Sequence, residues 1–266
     1  MKVVIAGGHG KIALLLEQLL SRRGDVVTGL IRNPAQAEAL EKAGAQARLV
    51  DLEKATGDEV ARHLTGADAV VFAAGAGPGS SAGRKDSVDR GAAIHIRALL
   101  AGTDLVVCTA DGVAVRRVTG HLARRAGLTA VLACVLEDGA LGEILRLRPW
   151  PGHGCLTCRR HNLAEAGGLD PEPALDAGYG TGTPHRPMTA VGSDLHLIAH
   201  LAAKTAVATL LERAGHPDQR LPGEHALFGL RRQPDWAPPF DLGHTAELRW
   251  LPATPPRSGC PTCEAP

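Results

Sequence analysis

The stretch Val3-Val4-Ile5-Ala6-Gly7-Gly8-His9-Gly10-Lys11-Ile12-Ala13 decides the fold. A β-branched apolar run stops at a glycine cluster, and a leucine-rich run, Leu14-Leu15-Leu16 to Leu19-Leu20, follows at once; the pattern reads as strand, tight loop and helix. Glycines in such a loop let the backbone turn sharply and approach a pyrophosphate. The helix behind it offers that charge its free N–H groups and positive dipole end. The spacing is Gly-x-x-Gly-x-x-Ala over Gly7, Gly10 and Ala13, not the stricter Gly-x-Gly-x-x-Gly, so its weight comes from the surrounding sequence.

Outward from the loop, Gly24 closes the helix and Asp25 to Ile31 supplies a second strand. At the tip of that strand a Rossmann unit meets the adenosine ribose, where an acid suits the 2′-hydroxyl of NAD and a base suits the 2′-phosphate of NADP. Arg32 stands there and points to NADP, with NAD as the other possibility; a solvated turn arginine is the plainer account. Asn33-Pro34 open a short helix that ends at Ala43-Gly44, and Ala45 to Val50 is a third strand. Asp51 is placed either to accept from the adenine amino group or to cap the next turn. A helix over Asp58 to Leu64 leads to Ala69-Val70-Val71-Phe72, a wholly apolar fourth strand of the kind buried on both faces. It ends in Ala73-Ala74-Gly75, small enough to let a cofactor pass.

The 266 residues suffice for a large domain or two modest ones, and Lys+Arg 29 against Asp+Glu 28 leaves net charge +1, no footprint for nucleic acid. Aromatics are 3% of residues, so the core must come from Val, Leu, Ile and Ala. Glycine and proline thicken after Pro149 and predict a loop-rich second half. No apolar run is long enough for a membrane span or a signal segment, and a cytoplasmic protein is expected.

Of six cysteines, four form two Cys-x-x-Cys pairs, Cys155/Cys158 and Cys260/Cys263. In a reducing compartment such knuckles, each presenting two thiolates, suggest a tetrahedral structural zinc that pins the tail; redox thiols or two unrelated pairs are the alternatives. Cys108 and Cys134 sit in apolar strand patterns and read as buried thiols. His153, His161, His185 and Tyr179 share no motif and read as loop or surface residues. Asp194 to Arg213 is an amphipathic helix with Leu195, Ile198, Leu201, Ala202, Val207 and Leu210 apolar, and His225 to Leu230 and Glu247 to Leu251 are short candidate strands.

Residues 1 to about 93 resemble an atypical short-chain dehydrogenase/reductase. The resemblance rests on the glycine loop, Ile31-Arg32-Asn33-Pro34, Asp51-Leu52, Val71 to Gly75, and Arg84 to Arg90. It implies that Gly7, Gly10, Lys11 and Ile12 surround the pyrophosphate, Arg32 the 2′-phosphate, Asp51 the adenine, and Ala73, Ala74 and Gly75 the nicotinamide ribose. Catalytic members carry a Tyr-x-x-x-Lys pair, in which the tyrosine transfers the proton and the lysine lowers its pKa. Here the only tyrosine is Tyr179 and the residue four later is Thr183, so no catalytic residue is identified and hydride transfer is expected to be weak or absent.

From about residue 96 the chain resembles instead the later part of ThiF-type adenylyltransferases, relatives of ubiquitin-activating enzymes. The supporting residues are Asp104 to Asp111, Arg116-Arg117 on a helix, strands at Thr129 to Val135 and Gly142 to Arg148, and the two cysteine pairs. This likeness implies that Asp111 serves Mg²⁺ and ATP, with turn-capping before Gly112 as the plainer account, that a peptide or protein C-terminal carboxylate is adenylated, and that the Asp194–Arg213 helix joins a homodimer interface.

The expectation is therefore an α/β chain with a Rossmann-like, doubly wound, mainly parallel sheet and a zinc-pinned, loop-rich extension. Residues 1–95 form an NAD(P)-binding half and 96–266 a ThiF-like half, in one continuous sheet if the strands add on. Each half lacks the other family's catalytic parts, and an inactive chimeric scaffold is a third reading beside the NADP-binding protein and the adenylyltransferase.

Overall fold

The computed structural model describes residues 1–74, 100, 102–110, 113–136, 139–165 and 190–264. The chain divides into two compact units, Met1–Ala101 and Gly102–Pro266. Its fold is α/β and Rossmann-like, as the opening stretch implies.

In the first unit, β1 (Lys2–Ala6) runs into α1 (Lys11–Arg22), β2 (Val26–Ile31), a 3₁₀ turn (Pro34–Gln36) with α2 (Ala37–Lys42), β3 (Gln46–Leu49), α3 (Gly57–Leu64) and β4 (Ala69–Phe72). The strands make a four-stranded sheet in the order β3-β2-β1-β4 with every pairing parallel. Alternation of side chains along β1 splits the core. Val3 and Ile5 join Ala13, Val27, Ile31 and Leu40 on one face, whereas Val4 and Ala6 join Leu30, Val50 and Val60 on the other. Capping follows the sequence: Asn33 accepts from the Ala35 amide at 3.0 Å and Thr56 from the Glu59 amide at 3.2 Å.

One expectation changes here. Strand β4 is half-buried throughout instead of enclosed on both faces, since it is the end strand of its sheet. Along α1, Leu14, Leu16 and Leu20 pack against the first of these cores, Ala13 and Glu17 are buried, and Leu15 and Leu19 are exposed.

The second unit contains β5 (Val106–Cys108), α4 (Val113–Arg125), β6 (Ala130–Leu136), β7 (Leu141–Leu147), α5 (Leu156–Glu165), α6 (Gly192–Arg213), β8 (His225–Gly229) and β9 (Leu248–Leu251). These strands form their own five-stranded sheet, β5-β6-β7-β8-β9, in place of a continuation of the first. Among the described residues of this unit β5 and β6 pair in parallel, and the remaining pairings are antiparallel. Loop length explains the change, because the link from Leu136 to Leu141 is far too short for the crossover that a parallel neighbour requires. The loop-rich stretch expected after Pro149 contains α5, whose buried face is Leu156, Cys158, Arg160 and Leu163. A helix with an arginine and a cysteine on its inner face carries no apolar periodicity to announce it.

Helix α6 buries Ile198, Ala202, Thr205, Ala208 and Thr209, whereas Leu195, Val207 and Leu210 of the expected stripe are exposed. Cys108 and Cys134 are buried, as their strand patterns imply. Among the described residues no helix is long and apolar enough to cross a membrane.

Candidate functional sites

At the glycine loop, the backbone N–H groups of Gly7 and Gly8 both donate to the carbonyl of Leu30, at 3.2 and 3.0 Å, and tie the loop to β2. Gly7 has φ +87°, and a Cβ there would stand 2.6 Å from the backbone of Ala74. Only glycine permits that conformation together with so close an approach. Gly10 is the N-cap of α1 in extended conformation; no side chain caps the helix and no acid occupies its first turn. The first N–H groups of α1, from Lys11 onward, are therefore left for an anion, and the Lys11 and Ile12 side chains are exposed beside them.

The loop thus gathers Gly7, Gly10, Ala73 and Ala74: the Ala73 amide donates to the Ala6 carbonyl at 2.8 Å, and a Cβ on Gly10 would lie 3.5 Å from the Gly7 carbonyl and 3.8 Å from that of Ala73. Arg32 follows β2 directly, exposed, with Nη1 2.7 Å from Glu53 Oε1. Asp51 Oδ1 accepts from the Glu53 amide at 3.1 Å, which is the turn-capping role. Gly75 and Asp111 lie outside the described residues, as do Arg84 to Arg90, Tyr179 and His185.

A residue that the sequence patterns do not single out stands behind the loop. Glu17 of α1 is fully buried and neither carboxyl oxygen has a hydrogen-bond partner. Burial pushes its carboxyl up to about 7. Its one signal in the sequence is a lone acid four residues after the buried Ala13, on the inner face of the helix.

In the second unit, Cys155, Cys158, Cys260 and Cys263 converge, their sulfurs all within 4.8 Å of one another. Contacts of 3.8 Å (Cys155–Cys158), 3.6 Å (Cys155–Cys260) and 3.7 Å (Cys158–Cys263) match the edges, about 3.8 Å, of a tetrahedron with zinc–sulfur bonds of about 2.3 Å. All four are free thiols. Burial, and then the neighbouring sulfurs, push the Cys158 and Cys263 thiols up. Against burial, the N–H groups of Cys263 and Thr262 bring Cys260 down to about 7. Four adjacent sulfurs can all ionise only with a cation among them, and the donor set suits a soft tetrahedral metal. His121 Nδ1 contacts Thr262 Oγ1 at 2.9 Å, which fastens the C-terminal knuckle to α4.

Beside the knuckle, Arg160 of α5 pairs through both terminal nitrogens with the two carboxylate oxygens of Glu143, one contact at 2.8 Å, and His225 Nε2 lies 2.9 Å from the same carboxylate. All three are buried. Although burial raises it, Arg160 and then His225 hold the Glu143 carboxyl well below the usual range. His225 is itself lowered by burial, which Glu143 opposes. Arg146 and Arg148 share Glu212 and Glu224 in a second network, with contacts of 2.5 to 2.9 Å. His153 packs edge-on against Trp150 at 5.5 Å, and His161 pairs with Glu165 at 3.0 Å within α5.

A parallel sheet of order 3-2-1-4 with a glycine loop at an uncapped helix defines a Rossmann-type nucleotide-binding unit. Consistent with this class, residues 7–136 match a family model described as NAD(P)H-binding. The match supports an NAD(P)-binding Rossmann domain at the N-terminal end. A UPF0659 protein of Schizosaccharomyces pombe is 38% identical over 95 residues, 35% of this chain and 38% of that one. An uncharacterized sugar epimerase of Bacillus subtilis is 37% identical over 78 residues, 29% of this chain and 36% of its own. The chain therefore spans well under half the length of these curated relatives. Among solved structures, a Bacillus halodurans protein provisionally described as an NAD-dependent epimerase/dehydratase is 24% identical with TM-score 0.43, covering 54% of this chain and 76% of that one. A yeast methylglyoxal/isovaleraldehyde reductase complexed with NADPH is 21% identical with TM-score 0.35, covering 41% and 37%.

Proposed function

We propose that the chain binds NADP(H) at the Gly7–Gly10 loop, on a platform of short-chain-reductase ancestry whose hydride-transfer activity is weak or absent. The observation that carries this reading is the uncapped start of α1 behind two glycines, with Arg32 at the tip of the adjacent strand. In it, the first N–H groups of α1 hold the pyrophosphate, the Arg32 guanidinium meets the 2′-phosphate, and Ala73 and Ala74 leave room for the nicotinamide ribose. The cofactor, when bound, supplies hydride chemistry, and the sequence offers no Tyr-x-x-x-Lys pair to direct it. Calorimetric titration with NADP⁺, NAD⁺ and ATP tests the reading. Binding of NADP⁺ at micromolar levels supports it, and no heat up to millimolar NADP⁺ overturns it.

The cysteine quartet serves, in the same proposal, as a closed structural zinc site within the second unit. Four sulfurs fill the coordination sphere and leave no position for substrate. Cysteine pairs that hold a metal instead of forming disulfides suit a reducing, cytoplasmic setting. The adenylyltransferase reading, with a carboxylate-bearing partner, depends on Asp111 and gains no support from the family match. The homodimer is an expectation of the ThiF-like resemblance alone, and light scattering of the purified chain would decide it.

A further inference from the structure

We propose that Glu17 couples cofactor binding at the glycine loop to proton uptake, so that the nucleotide binds the form of the protein in which this buried carboxyl is neutral. The inference rests on the cofactor reading above and names a regulation of that same site.

Glu17 lies on the inner face of α1, and its carboxyl is wedged under the loop. A Cβ on Gly8 would stand 3.0 Å from Glu17 Oε1, and one on Gly29 only 2.7 Å from it. Leu40 of α2 crowds the same space, its Cδ2 2.4 Å from the hypothetical Cβ on Gly29. Two glycine backbones and a leucine thus crowd the Oε1 side of the carboxyl, and neither oxygen has a hydrogen-bond partner. An ionised carboxylate so placed has lost its water and gained nothing in return.

The ionisable groups on the elements packed around it do not compensate. His9 on the loop, Lys11 and Arg22 on α1, and Glu38, Glu41 and Lys42 on α2 point outward or stand at the surface, and β2 between Val26 and Ile31 has none. Burial is the sole cause of the upward shift of Glu17, to about 7.

A helical side chain leans toward the N-terminus of its helix, so the Glu17 carboxyl is directed at the end where the pyrophosphate sits. From Lys11 to Glu17 the helix rises only about 9 Å. Through protein rather than water, an anionic Glu17 repels a bound pyrophosphate, and the pyrophosphate in turn raises the affinity of Glu17 for its proton. By linkage, nucleotide affinity falls as pH rises through the titration range of the carboxyl.

The test is calorimetry of the full chain with NADP⁺ between pH 6.5 and 9, in buffers of different ionisation enthalpy, for wild type, Glu17→Gln and Glu17→Met. Expected is uptake of a fraction of a proton per cofactor near pH 7.5, and a wild-type affinity that falls about five- to tenfold more across the range than that of either variant. The 2′-phosphate titrates equally in all three proteins and cancels in the comparison. Equal proton uptake and equal pH slopes in wild type and a folded variant overturn the proposal and leave the cofactor reading intact. Absence of NADP⁺ binding at every pH overturns the cofactor reading and this inference with it. If both variants fail to fold, wild-type binding without proton uptake is sufficient to reject the proposal.

Discussion

Arg32 Nη1 lies 2.7 Å from Glu53 Oε1, so the guanidinium proposed to meet a 2′-phosphate already holds a carboxylate. The pair is solvent-exposed, with side-chain accessibilities of 51% and 31%, and an exposed pair of this kind contributes only about 0–1 kcal/mol. A dianionic phosphate can displace it. Arg32→Ala is expected to weaken NADP⁺ binding about tenfold or more while leaving NAD⁺ within about twofold. Glu53→Gln is expected to shift the preference the other way. Dissociation constants for the two nucleotides, compared as a ratio, check both outcomes, and an unchanged ratio in Arg32→Ala removes this residue from the cofactor site.

Gly7 offers a test on the loop itself. Its φ of +87° and the 2.6 Å that would separate a Cβ from the Ala74 backbone make alanine costly for two independent reasons. Gly7→Ala should destabilise the protein by about 2 kcal/mol or more, read as a lower midpoint in urea, and should abolish nucleotide binding. Gly24, also at positive φ but with nothing within 4 Å of a Cβ, is the control. Gly24→Ala keeps the conformational penalty alone, about 1 kcal/mol, with binding unaltered.

Much of the fold was legible because the relevant signals are local. Glycines follow α1 and α2, β-branched runs mark β1 and β2, and the strand at Ala69–Phe72 has the limits its apolar run implies. The cysteine pairs were legible because each knuckle is a contiguous motif, although the two lie 105 residues apart. What escaped was set by partners distant in sequence. The mostly antiparallel sheet of the second unit follows from which strands pair, helix α5 hides an arginine whose carboxylate is on β7, and Glu17 interrupts a leucine run of which Leu15 and Leu19 face solvent. Hydrophobic patterning marks apolar faces, and a buried charge is the case it cannot register.

Zinc content is directly measurable. The purified chain is expected to carry close to one zinc per chain, and Cys260→Ser or a strong chelator should release it. Loss of the metal leaves four sulfurs packed without a cation, so the melting temperature of the second unit should fall by several degrees. A metal-free preparation with unaltered melting and no zinc uptake on titration would replace the metal reading with one of redox thiols.

The Glu143–Arg160–His225 cluster and Glu17 set opposite limbs of the stability profile. Glu143 is depressed in the folded state, so its contribution is complete above its ordinary value of 4.5 and is lost as pH falls below it toward the folded pKa. His225 is also depressed, and its buried neutral ring resists protonation as pH falls through 6.5, its ordinary value. Acid therefore loosens the second unit. Glu17 is raised, so its contribution is complete below 4.5 and is lost as pH rises through about 7. Alkali therefore loosens the first unit. Glu17→Gln should flatten only the alkaline limb of urea midpoints measured from pH 4 to pH 9. Glu143→Ala should cost about 3–5 kcal/mol at neutral pH, because it strands Arg160 inside the fold without its carboxylate. If the double change Glu143→Leu with Arg160→Met recovers most of that loss, the cost lay in the uncompensated charge; if it does not, the ion pair itself organises α5 against β7.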